Sequence, residues 1–149
     1  MPTEQALKCF PAADFKSDEK PEIFVGREHV LSSIDDGQSV LINALTADIH
    51  RGQNKRYGRP GHITSSLNIP FHSLVDPDSG KLVSPESALK IFEDQNISSN
   101  LKITNYCGGG IAATLNAFIL YQLGFENIFI YDNSLSEWAM DPNLPMATC

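Results

Sequence analysis

The hydrophobic positions of this chain fall into short continuous runs that are separated by polar or glycine-rich segments. Ser39–Ala44 (SVLINA) follows a turn at Asp36–Gly37 and is almost entirely apolar, which is typical of a strand buried in a parallel sheet. Similar runs predict strands at Leu101–Tyr106 and Ile128–Tyr131, and a shorter one at Ser66–Pro70. The chain therefore contains several candidate core strands.

Helical patterns alternate with these strands. Ser84–Glu86 is a helix start, because serine caps the amino end, proline suits the first helical position and glutamate favours the positive end of the helix dipole. Its predicted buried face consists of Ala88, Leu89, Ile91 and Phe92. Further helices are predicted over Ile111–Leu123, ended by Gly124, and over Arg27–Ile34. This alternation predicts an α/β domain of three layers, a mostly parallel sheet with helices on both faces.

The amino-terminal segment has a different character. Residues 1–22 are polar and carry prolines at positions 2, 11 and 21. They predict an arm, with an edge strand around Leu7–Phe10 as the alternative, and residues 23–149 then form the domain. Residues 46–61 are rich in Arg, Lys and Gly, which predicts a surface loop.

Composition limits the classes of function. The 149 residues include 42% hydrophobic and 19% charged residues, and the net charge is −7. A globular domain is expected, and nucleic acid or an anionic membrane is not an expected partner. No apolar stretch reaches the roughly 18–20 residues that span a bilayer, and Met1–Lys8 lacks the layout of a signal peptide. These features predict a soluble, cytoplasmic protein.

The cysteines are too few for a disulfide framework. Cys9, Cys107 and Cys149 are an odd, widely spaced set, which argues against structural disulfides. No two of them have the spacing of zinc ligands, and no histidine is close to any of them in sequence. Neither a metal ion nor another cofactor is expected.

One segment carries chemistry: Tyr106–Ala113, with the sequence YCGGGIAA. It lies between a predicted strand and a predicted helix, which places Cys107 at the carboxyl end of a strand, where ligands bind in open parallel sheets. Three glycines without Cβ atoms can adopt positive φ and bring N–H groups towards one anion. That anion would be the thiolate, a persulfide or a substrate group; the alternative is a buried structural cysteine beside a flexible glycine segment.

This segment resembles the active-site loop of rhodanese-type sulfurtransferases, particularly the catalytic second half of the tandem thiosulfate and mercaptopyruvate enzymes. Tyr131–Trp138 (YDNSLSEW) is similar to the family's Y-D-G-S-W-S-E-W. The other matching segments are Gly61–Ile63 with Leu67–Phe71, Asp78–Lys81 with Ser84–Glu86, and Asp141–Pro145. The resemblance is collinear over residues 23–147 and implies the rhodanese fold.

The resemblance implies a sulfur relay in which a cysteine accepts a sulfane sulfur, holds it as a persulfide and passes it to a thiophilic acceptor. Cys107 would be the nucleophile and carrier, without a cofactor. Backbone amides would hold the persulfide; they belong to Gly108, Gly109, Gly110, Ile111 and Ala112. The implied partners are a small sulfur donor and a thiol acceptor, or a protein persulfide, and a homodimer or a separate rhodanese domain is a further expectation left open.

The chain departs from the family at the substrate positions. The family's D-A-R reads Asn43-Ala44-Leu45, Ile49 stands where mercaptopyruvate enzymes often place arginine, and position 108, basic in thiosulfate-type loops, is glycine. An arginine–anion hydrogen bond contributes about 1.5–3 kcal/mol, so thiosulfate and mercaptopyruvate should be poor donors. The candidate rim residues are Asn43, Leu45, Ile49 and Arg59, with Arg51, Lys55 and Arg56 in the same loop.

Two functions remain open from the sequence. The first is a sulfurtransferase with an altered donor, and the second is a catalytically degenerate binding or regulatory module of the same fold. A cysteine phosphatase would need an arginine six residues after Cys107, where this chain has Ala113. The phosphate-binding cation is therefore absent from its expected place.

Overall fold

The computed structural model describes residues 10–149. Cys9 and the alternative edge strand at Leu7–Phe10, apart from Phe10 itself, lie outside the described residues. Residues 10–20 form neither helix nor strand, and the first regular element is a 3₁₀ turn at Pro21–Ile23. The described part of the chain has no helix that is long and apolar enough to cross a bilayer.

The described strands are short and follow the predicted apolar runs. They are β1 (Phe24–Val25), β2 (Ser39–Asn43), β3 (His62–Ile63), β4 (Leu67–Asn68), β5 (Lys102–Tyr106), β6 (Ile128–Tyr131) and β7 (Met146–Ala147). The described helices are α1 (Arg27–Ser33), α2 (Ala47–His50), α3 (Pro85–Glu93), α4 (Ile111–Gln122) and α5 (Ser134–Trp138), with a 3₁₀ turn at Phe71–Leu74.

Five of these strands form one parallel sheet in the order β1-β6-β5-β2-β4. Helices flank the sheet, so the predicted α/β class is confirmed. In the central pair, Asn43 of β2 lies beside Tyr106 of β5. Leu45, two residues after Asn43, and Cys107, directly after Tyr106, therefore lie at the same edge of the sheet. A separate antiparallel pair joins β3 to β7.

The predicted helix ends are also found. Ser84 Oγ accepts a hydrogen bond from the Ser87 N–H at 3.2 Å, and Gly124 has φ of +84° just after α4. The buried face of α3 is narrower than predicted. Ala88 and Phe92, four residues apart on one stripe, are buried, whereas Leu89 and Ile91 flank the stripe and are only half-buried.

The prediction of a surface loop over residues 46–61 is wrong at its beginning. Residues 47–50 form the single-turn helix α2, and Ile49 and His50 on it are buried. The reason is that this segment leaves the carboxyl end of β2 over the core, so its apolar residue packs inward. The remainder, from Arg51 on, consists mostly of exposed turns, with a few half-buried positions and Gly61 buried at its end.

Candidate active site

Cys107 lies directly after the central strand β5 and four residues before α4. Only 2% of its surface is exposed, and its thiol forms no disulfide. The preceding residue is also fixed: Tyr106 is fully buried, and its hydroxyl accepts the Ile63 N–H at 3.1 Å and shares a 2.7 Å bond with Ser66. Burial raises the pKa of Tyr106, so this hydroxyl remains neutral. Both ends of the loop are thus held by regular structure.

A single buried hydroxyl organises the loop from outside. Ser134 Oγ accepts hydrogen bonds from the Cys107 N–H at 3.0 Å and the Gly110 N–H at 3.3 Å. It donates to the Tyr131 carbonyl at 2.7 Å, so its proton is already used, although Oγ lies 4.0 Å from Cys107 Sγ. Ser134 has φ of +52°, an uncommon conformation for a residue with a side chain. The hydroxyl therefore fixes the direction of two loop amides.

The other amides of the loop have no partner. Among residues 10–149, no acceptor binds the N–H groups of Gly108, Gly109, Ile111 and Ala112. The same four residues line the cavity at Cys107. The first N–H groups of a helix carry partial positive charge, so this side of the cavity is suited to an anion on the Cys107 sulfur.

The three glycines have different roles, although the sequence predicted a shared one. Only Gly110 has positive φ, at +83°, and a Cβ there would overlap Asp132 Oδ1. At Gly109 a Cβ would meet only Ser136 Oγ at an ordinary 3.7 Å. The amide of Gly110, expected to hold a persulfide, instead binds Ser134, so the anion-binding set excludes it.

Gly108 is required for space. A Cβ at this position would overlap Cζ and the hydroxyl of Tyr57, so the tyrosine ring lies where a side chain would otherwise be. The Gly108 carbonyl oxygen accepts hydrogen bonds from the Ser136 N–H at 2.9 Å and from the Ser136 hydroxyl. The position that is basic in thiosulfate-type loops is therefore covered by an aromatic ring.

The cavity at Cys107 has a volume of about 430 Å³. Apart from the loop itself, its lining is apolar or aromatic: Leu45, Tyr57, Phe71 and Leu115, with Ile111 from the loop. None of these lining residues carries a charge. This apolar part of the lining accepts an uncharged group more readily than a hydrated anion. An anion would lose its water here without gaining a contact with a positively charged side chain.

The candidate rim residues separate in the structure. Leu45 lines the cavity, whereas Asn43 and Ile49 do not. Asn43 is fully buried, where its Oδ1 accepts the Leu45 N–H at 2.9 Å and its Nδ2 donates to His50 Nδ1 at 3.3 Å. Burial, followed by the proximity of His62 and Arg51, lowers the pKa of His50 to about 4. Ile49 is a core residue.

Arg59 also lies away from the cavity lining. Its guanidinium donates to four backbone carbonyls, those of Trp138, Ala139, Asp141 and Leu144, at 2.7–3.1 Å. The charge is therefore used to fix the segment after α5. The other basic residues of the loop, Arg51, Lys55 and Arg56, are exposed. Arg56 Cζ lies 5.8 Å from the centre of the Tyr57 ring, which places one cation next to the wall of the cavity.

Sequence reasoning did not single out Tyr57, Phe71, Leu115 or Ser134. Phe71 and Ser134 lie within segments that carry the family resemblance, and an alignment of those segments with the loop would have drawn attention to them. Tyr57 lies among charged and glycine residues, and no local pattern indicates that its ring reaches Gly108. Trp138 is a fully buried core residue whose Nε1 donates to the Pro145 carbonyl at 3.0 Å.

Comparison with known proteins gives a consistent family. The family model described as Rhodanese-like domain matches residues 28–141. Thiosulfate/3-mercaptopyruvate sulfurtransferase 2 of Arabidopsis thaliana is 35% identical over 135 residues, which are 89% of this chain and 39% of that protein. The 3-mercaptopyruvate sulfurtransferase of Escherichia coli K12 is 30% identical over 146 residues, 96% of this chain and 51% of that protein.

The fold also recurs in a solved structure. The anaerobic ergothioneine biosynthesis enzyme from Chlorobium limicola, in complex with trimethyl histidine, superposes with a TM-score of 0.80 at 18% identity, over 86% of this chain and 32% of that one. At this identity the likeness concerns the fold. The chain spans about half, or less, of the length of the two sulfurtransferases that it matches.

Proposed function

The chain belongs to the rhodanese-like domain family, and from this premise we propose that it transfers sulfane sulfur through a persulfide on Cys107. The observation that carries the proposal is the pairing of a free thiol with four unpaired amides that line the same cavity. These N–H groups can stabilise the negative charge of a thiolate and of the persulfide that replaces it. The sulfurtransferase names of the relatives support the same class of reaction.

The proposed reaction has two balanced steps. The Cys107 thiolate attacks the outer sulfur of a donor persulfide, R–S–SH. A new S–S bond forms on Cys107, and the old S–S bond breaks with its electron pair leaving on R–S⁻. An acceptor thiolate then attacks the outer sulfur of the Cys107 persulfide, which restores the Cys107 thiolate. Neither step needs an oxidant, a reductant or a cofactor.

The lining of the cavity supports a donor that carries its sulfur on an apolar group. Leu45 and Tyr57 occupy the positions from which cations would contact thiosulfate or mercaptopyruvate, since Leu45 replaces the family's arginine and Tyr57 covers Gly108. An organic persulfide with an apolar R group, or a protein persulfide presented by an apolar surface, would keep its contacts with this apolar part of the lining. Thiosulfate would lose hydration without a compensating guanidinium.

The alternative, a binding module without catalysis, rests on the same missing charges. A module of that kind would not need the Cys107 thiol or the unpaired amides, and both are retained. The absent arginines are explained as well by a change of donor. The arrangement of the loop therefore favours sulfur transfer.

The test is the intact mass of the purified protein without reductant, after incubation with thiosulfate, mercaptopyruvate or benzyl persulfide. We expect the gain of one sulfur atom with benzyl persulfide, its absence in Cys107→Ser, and its retention in Cys149→Ser, the matched control with the other described thiol removed. Thiosulfate and mercaptopyruvate should label more slowly.

Release completes the test. Addition of a thiol acceptor should remove the extra sulfur and generate the acceptor persulfide in equal amount. No labelling of Cys107 by any of the three donors, in a protein whose fold is intact by circular dichroism, would overturn the proposal and favour the binding module. Labelling by thiosulfate alone would retain sulfur transfer but overturn the proposed donor class.

A further inference from the structure

Residues 146–149, called the tail below, pass close to His50 and His62, which lie outside the Cys107 cavity. Strand β7 pairs with β3 so that Ala147 is the cross-strand partner of His62. Side chains alternate between the two faces of a strand. Cys149, two residues after Ala147, therefore returns to the face that carries His62.

Two glycines allow the tail to approach this closely. Gly61 has φ of +99°, and a Cβ there would overlap the carbonyl oxygen of Ala147. Gly52 has φ of +81°, and a Cβ there would lie 2.6 Å from Thr148 Cγ2. Any other residue at either position would be strained; at position 61 it would also displace the tail backbone, and at position 52 it would displace the Thr148 side chain. The chain next to both histidines is thus shaped to fit the tail.

Three potential metal ligands meet at this place. One ring nitrogen of His50, one of His62 and Sγ of Cys149 all lie within 4.8 Å of one another. Both histidines are more than nine-tenths buried, and Cys149 is exposed. These residues are far apart along the chain, so sequence spacing does not reveal the cluster; the β3–β7 pairing and α2 bring them together in space.

The hydrogen bonds leave one nitrogen of each ring without a partner. His62 Nδ1 donates to the His50 carbonyl at 2.7 Å, so its Nε2 carries the lone pair. His50 Nδ1 accepts from Asn43 Nδ2 at 3.3 Å. Among residues 10–149, neither Nε2 atom forms a hydrogen bond. A metal-binding histidine commonly donates its other N–H to a carbonyl in this way.

We propose that His50, His62 and Cys149 form a binding site for a borderline or soft divalent cation, of which Zn²⁺ is the first to test. Histidine nitrogen and thiolate sulfur bind Zn²⁺ at about 2.0–2.1 and 2.3 Å, so three donors within 4.8 Å need only a modest contraction. Binding displaces the Cys149 thiol proton to solvent. The exposure of Cys149 leaves a fourth coordination position open to water or to another thiol.

One ring has to turn for this site to close. The two imidazoles are stacked with centroids 3.7 Å apart and planes 11° from parallel, and the lone pairs of parallel rings cannot both point at one ion. His62 is held by the shorter bond, so His50 is the ring that turns. The Asn43 amide also keeps the His50 proton on Nε2 in the unbound protein, so binding through Nε2 requires this proton to move to Nδ1. An aspartate at position 43 would instead accept a proton from Nδ1 and free Nε2 for the ion.

The test uses the full chain without a purification tag, stripped with a chelator, kept reduced by a phosphine and titrated with Co²⁺. We expect one equivalent of Co²⁺ to give visible tetrahedral bands and a near-ultraviolet thiolate-to-cobalt band, both removed by competing Zn²⁺. Cys149→Ser should abolish the thiolate band, and His62→Gln should weaken binding at least tenfold. Cys107→Ser, the matched thiol control, should retain both bands.

Two outcomes of this titration would overturn the proposed metal site, and a further variant tests the role of His50. A wild-type protein without a thiolate band, or a band that survives in Cys149→Ser and disappears in Cys107→Ser, would overturn the proposal. Cys149 is exposed, so its variant tests the site even if His62→Gln unfolds. Asn43→Asp should tighten Co²⁺ binding at least threefold; a weaker affinity in a folded Asn43→Asp protein would overturn the role given to His50.

Discussion

The ring of Tyr57 lies against the backbone of Gly108, in the space that any side chain at position 108 would need. Gly108→Ala should therefore lower the free energy of unfolding by about 1–3 kcal/mol, the usual cost of overpacking. In a Tyr57→Ala background the same change should cost under about 0.5 kcal/mol, because the space is then empty. Urea unfolding of the four proteins measures this coupling.

Gly37→Ala is the matched control, since a Cβ at Gly37 has no heavy atom within 4 Å. It should be nearly neutral in both backgrounds. Equal costs for Gly108→Ala with and without Tyr57 would show that the ring does not set the residue at position 108.

Leu45 gives the most direct test of the donor class. It lines the cavity at the place of the family's arginine, so Leu45→Arg should raise kcat/KM for thiosulfate or mercaptopyruvate by roughly tenfold or more, the effect of one charge-assisted hydrogen bond. Steady-state assays with both donors measure the change. Leu82→Arg adds the same charge at a residue that is 44% exposed and does not line the cavity. An equal gain in both variants would indicate a general effect of charge.

The hydroxyl of Ser134 should contribute both to the stability of the fold and to the rate of persulfide formation on Cys107. Ser134→Ala leaves the buried amides of Cys107 and Gly110 without their acceptor, at a cost of about 1–3 kcal/mol, and should slow persulfide formation by roughly 10- to 100-fold. Ser134→Gly relieves the strain at φ of +52° but also lacks the hydroxyl, so it should be slow too. Timed intact-mass measurements check this.

A surface serine provides the comparison for that experiment. Ser32→Ala removes an exposed hydroxyl bonded to the His29 carbonyl at 2.8 Å and should label at the wild-type rate. Fast labelling of Ser134→Gly would mean that the backbone conformation alone orients the loop.

Arg59 should act on stability rather than on donor binding. A lysine cannot reach the four carbonyls that the guanidinium binds, so Arg59→Lys should lower the free energy of unfolding by about 2–4 kcal/mol. Arg56→Lys, at an exposed position, should change it by less than about 0.5 kcal/mol. Denaturant titration provides the values. A donor-specific rise in KM for folded Arg59→Lys would contradict this assignment.

Acid sensitivity should depend in part on His29. Burial, followed by the charge of Lys102, lowers the pKa of His29 in the folded protein. The unfolded chain therefore takes up this proton at higher pH, and stability falls as the pH drops through the ordinary histidine range near about 6.5. His29→Gln should reduce the loss of stability between about pH 7.5 and pH 5.5. Urea midpoints at both values measure it, with exposed His72→Gln as the control; equal losses in both variants would contradict the prediction.

The fold follows closely from local sequence patterns. β6 has the predicted bounds, Ile128–Tyr131, because an apolar run flanked by polar residues defines a buried strand at both ends. The starts of α3 and α4 were likewise marked by Ser84 and by the glycines before Ile111. The elements that local patterns did not predict are all short: the single-turn helix α2, the two-residue strands β1, β3 and β7, and the five-residue helix α5. Their state depends on packing against the rest of the domain rather than on their own sequence.

Only part of the candidate site could be predicted from the sequence. Cys107 is found because it directly follows a predicted strand, at the edge of the sheet where ligands bind. Leu45 is found through the family resemblance, because it stands at the position of the family's arginine. The contact between Tyr57 and Gly108 depends on the path of an irregular loop, for which no periodicity exists. A run of glycines likewise does not reveal whether a residue is needed for positive φ, as at Gly110, or for space, as at Gly108.

The bonds of Ser134 have a consequence for protein engineering. The amides of Cys107 and Gly110 are oriented by a hydroxyl that lies 24–27 residues further along the chain. A continuous peptide such as Tyr106–Ala113, grafted onto another scaffold, would carry the nucleophile without its orienting acceptor. A functional transplant has to include the Tyr131–Ser136 turn as a second, discontinuous segment.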